Sequence, residues 1–376
     1  MRKKLNIGFW YKKSLAWKFS AWLVVWFAIA LFTWHFDHIN IRAVMSPDDL
    51  ADQLYSTGSA YISLKTILAV MSHLTAKGIF YHLLLSGIVT TLAVSVYIIA
   101  KEKYSDRVAV LTSAIAGTQA YLLLSIGTIN YALISVLALP VILLLCSWLH
   151  PKHGKIEYLL LGLTIAVLFS VPYFWLILFF ALIVSKSRLK ILFKHISKTK
   201  KILLIIPSLI SIALASSYSI KRHDYQWLIG DMNNLKINPN DLLDRTWEVL
   251  KRIFIDFDPT TAEKLPLIGV ALILLSAMSV YLYIQGFSSI QQKTVLFACA
   301  LAFVVTSAGL VGLYFVILSG AIIMSVNGVA MLLQQWFTVF PKNPFARSAG
   351  IVLFTLAVLT IVITQIISYI ELTKLL

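Results

Sequence analysis

Three carboxylates lie close together near the N-terminus, in the stretch MSPDDLADQL (45–54). They are Asp48, Asp49 and Asp52, in a chain that has only 16 acidic residues against 32 Lys plus Arg. A carboxylate can accept a proton as a general base or ligate a cation. The stretch also has the pattern of an ordinary helix start, with Ser46 as the cap and acids in the first turn. A functional carboxylate pair and a capped helix start are therefore both open here.

Basic side chains elsewhere in the chain could bind a phosphate through charge-assisted hydrogen bonds. The candidates are Arg42, Lys65, Lys221, Arg222 and His223. A metal ion would need two or more of the carboxylate oxygens and a further fixed ligand. No metal site is therefore predicted, a divalent cation stays an open alternative, and the cofactor is unknown.

The elements that must position these residues are apolar helices. The chain has 376 residues, of which 59% are hydrophobic and 13% charged, whereas soluble domains carry about 25% charged residues. An apolar helix of roughly 20 residues crosses a bilayer. The sequence therefore predicts an all-α, polytopic integral membrane protein, with residues 1–376 as a single transmembrane domain. Spans are predicted near 19–36, 79–100, 108–126, 129–149, 202–220, 265–284, 294–316, 318–339 and 348–370.

One apolar run, 157–184, is interrupted by SVPYF, and Pro172 disfavours the helical conformation at the preceding residue. The next loop, 185–201, has seven basic residues and no acid. Loops rich in Lys and Arg stay on the cytoplasmic side, so both 185–201 and the basic N-terminal tail are expected there. The two can lie on the same side only if 157–184 crosses the membrane twice, as a short helical hairpin. The prediction is about 11 transmembrane helices, with the N-terminus cytoplasmic and the C-terminus extracytoplasmic.

The charge distribution follows this topology. The segments assigned to the cytoplasmic side carry 21 basic residues against three acidic ones. This excess indicates orientation and contact with anionic membrane lipids, and we expect no nucleic-acid partner. No Lys, Arg, Asp or Glu falls inside the predicted spans, which argues against a proton pump or an ion-coupled transporter.

Two segments are predicted to face outward. The first extracytoplasmic loop, 37–78, contains the acidic motif. In the second, 221–264, apolar residues recur at helical spacing and charged residues occupy the other faces. This pattern predicts an amphipathic helix in the membrane interface. Such a helix either lines the rim of a site or serves as an interfacial strut.

Residues 43–150 resemble the N-terminal half of C-type (GT-C) membrane glycosyltransferases, especially the protein O-mannosyltransferases and aminoarabinose transferases. The resemblance lies in Ser46-Pro47-Asp48-Asp49, in the basic turn KEKYSDRVAVLTSAIAG, and in the linked pair AYLLLSIGTINYALISVLALPVILLL. The interrupted hairpin GLTIAVLFSVPYFWLILFFALIV matches a family segment. The ending LLQQWFTVFPKNPFARSAGIVLF looks like the late spans of bacterial members.

The resemblance implies a polyprenyl-phosphate-linked sugar as donor and transfer to an unknown acceptor on the outer face of the bacterial cytoplasmic membrane. Asp48 would be the general base, and Asp49 its partner or a metal ligand. The cations named above would hold the phosphate. The family commonly has a second acid where this chain has Asn130. Two alternatives therefore stay open: a non-catalytic GT-C-like protein that binds a lipid carrier or a partner protein, and a transporter or lipid flippase.

Overall fold

Helices form all the regular structure in the computed structural model, within the residues that it describes. These residues are 15–36, 59–74, 79–127, 131–231, 239–254, 268–284, 290–310, 312–340 and 343–375. The helices of the first half are α1 (Leu15–Phe36), α2 (Ile62–Leu74), α3 (Ile79–Lys103), α4 (Asp106–Gly117), α5 (Ala120–Gly127), a 3-10 helix (Tyr131–Leu137), α6 (Ala138–Leu143), a π-helix (Leu144–Trp148) and α7 (Lys155–Leu168). The second half contains α8 (Phe174–Val184), α9 (Lys186–His195), α10 (Lys198–Arg222), α11 (Gln226–Ile229), α12 (Pro239–Phe254), α13 (Val270–Ile284), α14 (Ile290–Ser307), α15 (Tyr314–Val339) and α16 (Pro344–Leu375).

This architecture is that of an all-α membrane protein, but the predicted count of about 11 spans is wrong. Among the described residues, four helices are long and apolar enough to cross a bilayer, or five if the bent pair α4–α5 counts as one span. The four lie in α3, α10, α15 and α16. Apart from α1, which has 22 residues, the other apolar helices are shorter than the roughly 20 residues that a crossing needs, because breaks divide several of the apolar runs.

The run predicted as a hairpin shows how a break shortens the helices. α7 has 14 residues and α8 has 11, so neither half is long enough to cross alone. The break lies at the predicted SVPYF, where Tyr173 adopts a left-handed backbone conformation with φ 61°. α7 packs mainly on α10, whereas α8 packs mainly on α14.

Small residues allow the closest helix contacts. A side chain at Gly162 would collide with the backbone carbonyl of Leu203, which places α7 directly against α10. In the same way, a side chain at Gly328 would collide with the carbonyl of Leu275, which places α15 against α13. Close backbone approach at glycine is typical of helix packing in membranes, where dispersion contacts replace the hydrophobic driving force.

The two ends of the helical bundle differ in character. Near the start of α10, Lys200 Nζ donates to the carbonyl of Pro151 at 2.7 Å. Nearby, Arg188 Nη1 donates to the carbonyl of Cys146 at 2.7 Å, and Arg188 also interacts electrostatically with Glu102 at the end of α3. We call this end, with 185–201, the basic end.

The opposite end contains the N-terminal end of α3 and the C-terminal ends of α1 and α16. His82 Nε2 lies 2.9 Å from Thr33 Oγ1, and Tyr369 Oη donates to the Thr33 carbonyl at 3.4 Å. α10 also finishes at this end, because its 25 residues rise about 1.5 Å each, or roughly 36 Å from first to last. Residues at the C-terminal end of α10 are thus a bilayer thickness away from the basic end.

Candidate functional site

The predicted catalytic pair, Asp48 and Asp49, lies outside the described residues, as does Arg42. The first described residue after them is Ser59. An extended chain of ten residues spans at most about 36 Å, which sets an upper limit on the distance between Asp49 and Ser59. The catalytic role of Asp48 and Asp49 stays a prediction, and the geometry of the site is built from Ser59 onward.

Ser59 is fixed to the segment that follows α10. Its backbone N–H donates to Asp224 Oδ2 at 2.6 Å, and its hydroxyl donates to Asp224 Oδ1 at 2.9 Å. Asp224 Oδ1 also accepts from the Gln226 N–H at 2.9 Å, and Ser59 Oγ accepts from the Trp227 N–H at 3.2 Å. Hydrogen bonds to a carboxylate are roughly twice as strong as neutral ones. These four residues, which we call the serine–aspartate clamp, join two segments that are far apart in the sequence.

Lys65 lies near this clamp, since its side chain interacts electrostatically with Asp224. It is on α2, outside the candidate spans, and its side chain is 0% exposed. Burial lowers the pKa of Lys65 to about 8, and the Asp224 carboxylate partly offsets this by raising it. In this conformation the ammonium group interacts with Asp224 and has no surface for an outside ligand. Its predicted phosphate-binding role stays a prediction.

Lys221, Arg222 and His223 are exposed at the C-terminal end of α10. His223 has φ 53°, and its backbone N–H caps the helix by donating to the Ser219 carbonyl. This left-handed conformation is uncommon for a residue with a side chain. It turns the chain so that Asp224, the next residue, reaches Ser59. These three basic residues therefore lie beside the clamp, at the same end as Lys65.

The helix break at 170–174 supports α11 from the other side. Tyr173 Oη donates to the Ile229 carbonyl at 2.6 Å, and Trp175 Nε1 donates to the Leu228 carbonyl at 3.0 Å. Burial raises the pKa of Tyr173, so its phenol stays protonated and remains a donor at neutral pH. The predicted break and the first turn of α8 thus each supply one donor that holds the segment after the clamp.

A second break, between α14 and α15, contacts the same segment. The Asp231 N–H donates to the Leu310 carbonyl at 2.7 Å. Gly230 has φ 72°, and a Cβ at this position would lie 2.6 Å from the Leu310 carbonyl oxygen. Arg245, on α12, donates from Nη1 to the Ala308 carbonyl at 3.3 Å. The backbone at 308–310 therefore links the clamp segment to α12.

α12 is the amphipathic helix predicted within 221–264, and the structure confirms its presence. Its packed face carries Val249 and Ile253, which are buried, and the helix lies against α14. The exposed face carries Leu243, Trp247 and Phe254. An exposed apolar stripe beside charged residues is the pattern of a helix in the membrane interface.

Sequence reasoning missed Ser59 and Asp224. The only local signal is that Asp224 directly follows the three cations, where an acid would not be expected beside a phosphate site. Among the described residues, no three His, Cys, Asp or Glu side chains form a group that could hold a metal ion.

No protein-family model matches the chain, and no curated protein matches it either. The resemblance to C-type glycosyltransferases therefore depends on the motifs quoted above. The function that follows from it is a proposal.

Proposed function

We propose that the protein is a membrane glycosyltransferase that moves a sugar from a polyprenyl-phosphate carrier to an acceptor on the extracytoplasmic face. The observation that carries this proposal is the position of the serine–aspartate clamp. It holds Ser59, ten residues after Asp49 in the sequence, at the end of α10, where 221–223 expose three predicted phosphate-binding side chains. Sugar transfer from a phosphate-linked donor requires a base and an anion-binding surface on the same side of the membrane.

The proposed orientation follows from the charges at the two ends. The basic end contains 185–201, with seven basic residues and no acid, and such loops are retained in the cytoplasm. The opposite end, which carries the serine–aspartate clamp and which we call the clamp end, is then extracytoplasmic. α1 runs from the basic end to Thr33, and α16 finishes beside it at Tyr369. We therefore place the N-terminus in the cytoplasm and the C-terminus outside the bacterial cytoplasmic membrane.

In the proposed reaction the oxygen of an acceptor hydroxyl attacks the anomeric carbon of the donor sugar. The bond from that carbon to the phosphate oxygen breaks, and its electron pair leaves with the polyprenyl phosphate. The hydroxyl proton passes to the carboxylate of Asp48, and Asp49 orients this base or ligates a cation. Charge develops on the leaving phosphate, where fixed cations stabilise it.

The clamp explains how an acid is tolerated beside an anion site. A bare carboxylate at Asp224 would repel a phosphate group held by Arg222 or His223. Three donors from Ser59 and Gln226 and the ammonium group of Lys65 offset its charge. Lys65 is therefore a positioning residue in this proposal, and the exposed side chains at 221–223 contact the donor phosphate.

The test is a transfer assay with purified protein in vesicles. A panel of labelled polyprenyl-phosphate sugars is supplied, and transfer to the water-soluble or lipid fraction is measured. Asp48→Asn and Asp49→Asn should lower kcat by about 100-fold or more, the range lost with a general base. Asp256→Asn, a carboxylate in the second outward segment, is the matched control and should keep its activity. Arg222→Gln should lower kcat/KM for the donor, because this side chain is proposed to hold the phosphate and to stabilise the charge that develops on it.

Two outcomes would contradict the proposed glycosyltransferase activity and favour another function. If the protein binds polyprenyl phosphate and Arg222→Gln weakens binding, but no variant transfers sugar, it is a non-catalytic carrier-lipid protein. If the vesicles instead move the labelled lipid from one leaflet to the other, it is a flippase.

A further inference from the structure

A groove opens on the outer surface of the bundle between the second half of α15 and the first half of α16. Its volume is about 250 Å³, and its lining is apolar. The walls come from Leu332 and Trp336 on α15 and from Leu353, Phe354 and Ala357 on α16. Leu353 is 59% exposed, because α16 packs on the bundle along only part of its surface. The groove therefore faces the surrounding membrane.

The indole of Trp336 forms one end of this groove. Its Nε1 donates to the Ala346 carbonyl at 2.8 Å, which ties the end of α15 to the first turn of α16. The ring lies over Gly350, where any Cβ would collide with the indole. The glycine thus allows the ring to cross between the two helices, and the hydrogen bond fixes it there. The groove is consequently a feature of a tied hairpin.

A positive charge stands at this end of the groove. Arg347 lies one helical turn before Gly350 and is exposed. Its guanidinium group sits over the Phe337 ring, 5.0 Å from the ring centroid. This contact with an aromatic face on α15 holds the charge close to the end of α15. The site therefore presents a cation at the mouth and an apolar slot behind it.

We propose that this groove binds an anionic glycerophospholipid, with one acyl chain in the slot and the lipid phosphate at Arg347. The guanidinium group can donate two parallel hydrogen bonds to phosphate oxygens. The net negative charge of the lipid distinguishes it from a zwitterionic one, because the latter carries its own cation next to the phosphate. The slot fits a chain better than a protein helix, which is about 10 Å wide with its side chains.

The position of the groove agrees with this occupant. Arg347 is 22 residues before Tyr369, which lies at the clamp end beside Thr33. At about 1.5 Å per residue this is roughly 33 Å, so Arg347 lies at the basic end. The inner leaflet is rich in anionic lipid. The proposal concerns the opposite side of the membrane from the transfer site and stands without the proposed glycosyltransferase activity.

The experiment uses the full chain reconstituted in vesicles of phosphatidylcholine that contain a trace of photoreactive lipid. The reactive group is on the acyl chain, and the head group is phosphatidylglycerol in one arm and phosphatidylcholine in the other. Crosslinked peptides are mapped by mass spectrometry. We expect phosphatidylglycerol to label 332–357 about fivefold more than phosphatidylcholine, the factor for one basic residue near a membrane surface.

Two variants separate the head-group contact from the chain contact. Arg347→Gln should remove the preference between head groups, with Lys190→Gln, an exposed residue of α9, as its control. Ala357→Phe fills the slot and should lower labelling by both lipids, whereas Leu356→Phe, exposed but outside the lining, should not. Thermal unfolding of each variant checks that it is folded. Equal labelling by the two lipids would overturn the proposal, since ordinary surrounding lipid gives that result. If 332–357 crosslinks to a second copy of the chain instead of to lipid, the proposal would also be overturned.

Discussion

Burial of Lys65 gives a sharp test of the clamp. The perturbation is Lys65→Met, which keeps an unbranched side chain of similar length and removes the ammonium group. The side chain is 0% exposed, and burial is the main cause of its lowered pKa. At neutral pH the wild-type protein keeps a charged group away from water, whereas the variant does not. Asp224 retains its three donors from Ser59 and Gln226.

The magnitude follows from the pKa. The pKa of Lys65 falls from 10.5 to about 8 on folding, and each pKa unit corresponds to about 1.4 kcal/mol. Between these two values the unfolded chain binds more protons than the folded protein, so the free energy of unfolding rises with pH. The wild-type protein should gain about 3 kcal/mol from this one group between pH 8 and pH 10.5. Below pH 8 the contribution of Lys65 is constant and unfavourable.

The assay is unfolding in detergent, followed by tryptophan fluorescence across this pH range. Other groups titrate there too, so the measured quantity is the difference between wild type and Lys65→Met. The variant should be the more stable protein near neutral pH, and its advantage should disappear as the pH rises. Lys221→Met, an exposed residue at the same end, should show no such trend. A difference that does not change with pH would refute the burial argument.

Three further substitutions test local contacts by the same unfolding measurement. Asp224→Asn should cost about 1–3 kcal/mol, because the carboxylate accepts three hydrogen bonds and interacts with a buried ammonium group. Gly230→Ala should cost more than about 1 kcal/mol, since φ is 72° and the new Cβ would lie 2.6 Å from the Leu310 carbonyl oxygen. Tyr104→Phe should cost about 0.5–1.5 kcal/mol, because its hydroxyl donates to Asn327 Oδ1 at 2.7 Å.

Each of these has a matched control. Asp241→Asn, on the first turn of α12, changes the same charge away from the clamp. Gly154→Ala places a Cβ 3.6 Å from Glu157 Oε2, an ordinary contact without a positive φ. Tyr97→Phe removes a hydroxyl whose contact with Asp106 is long, at 3.5 Å. If a control lowers the free energy of unfolding as much as its partner substitution, the predicted contribution of the corresponding contact is wrong.

The positions of the helices could be predicted from the sequence, and so could the lengths of unbroken ones such as α3, but most of the breaks within the apolar runs could not. The predicted span 294–316 corresponds to α14, which ends at Ser307, followed by a left-handed Gly309 with φ 78°. The predicted span 108–126 is divided into α4 and α5 with a bend of 52°. Hydropathy measures transfer from water and is insensitive to a local change of backbone direction. It therefore finds apolar runs and overlooks breaks within them.

The candidate site shows a similar division. The cations at 221–223 were predicted as neighbours because they are adjacent in the sequence. The pairing of Ser59 with Asp224 joins positions 165 residues apart, and neither residue stands out in its own segment. Only the packing of α2 beside the end of α10 brings them together, so this contact required the three-dimensional structure.

The breaks that keep several apolar helices short also build the candidate site. A break in an apolar helix leaves backbone carbonyls that need donors, since lipid supplies none. At the first break the Ser170 carbonyl accepts from the Tyr61 N–H at 2.8 Å, which fixes the start of α2. At the second, the Leu310 carbonyl accepts from the Asp231 N–H at 2.7 Å, which fixes the segment after the clamp. Both segments that meet at the clamp are thus held by carbonyls that an unbroken helix would keep for itself. A helix that continued through either break would lack these attachment points, so the shorter helices and the clamp contacts follow from the same backbone breaks.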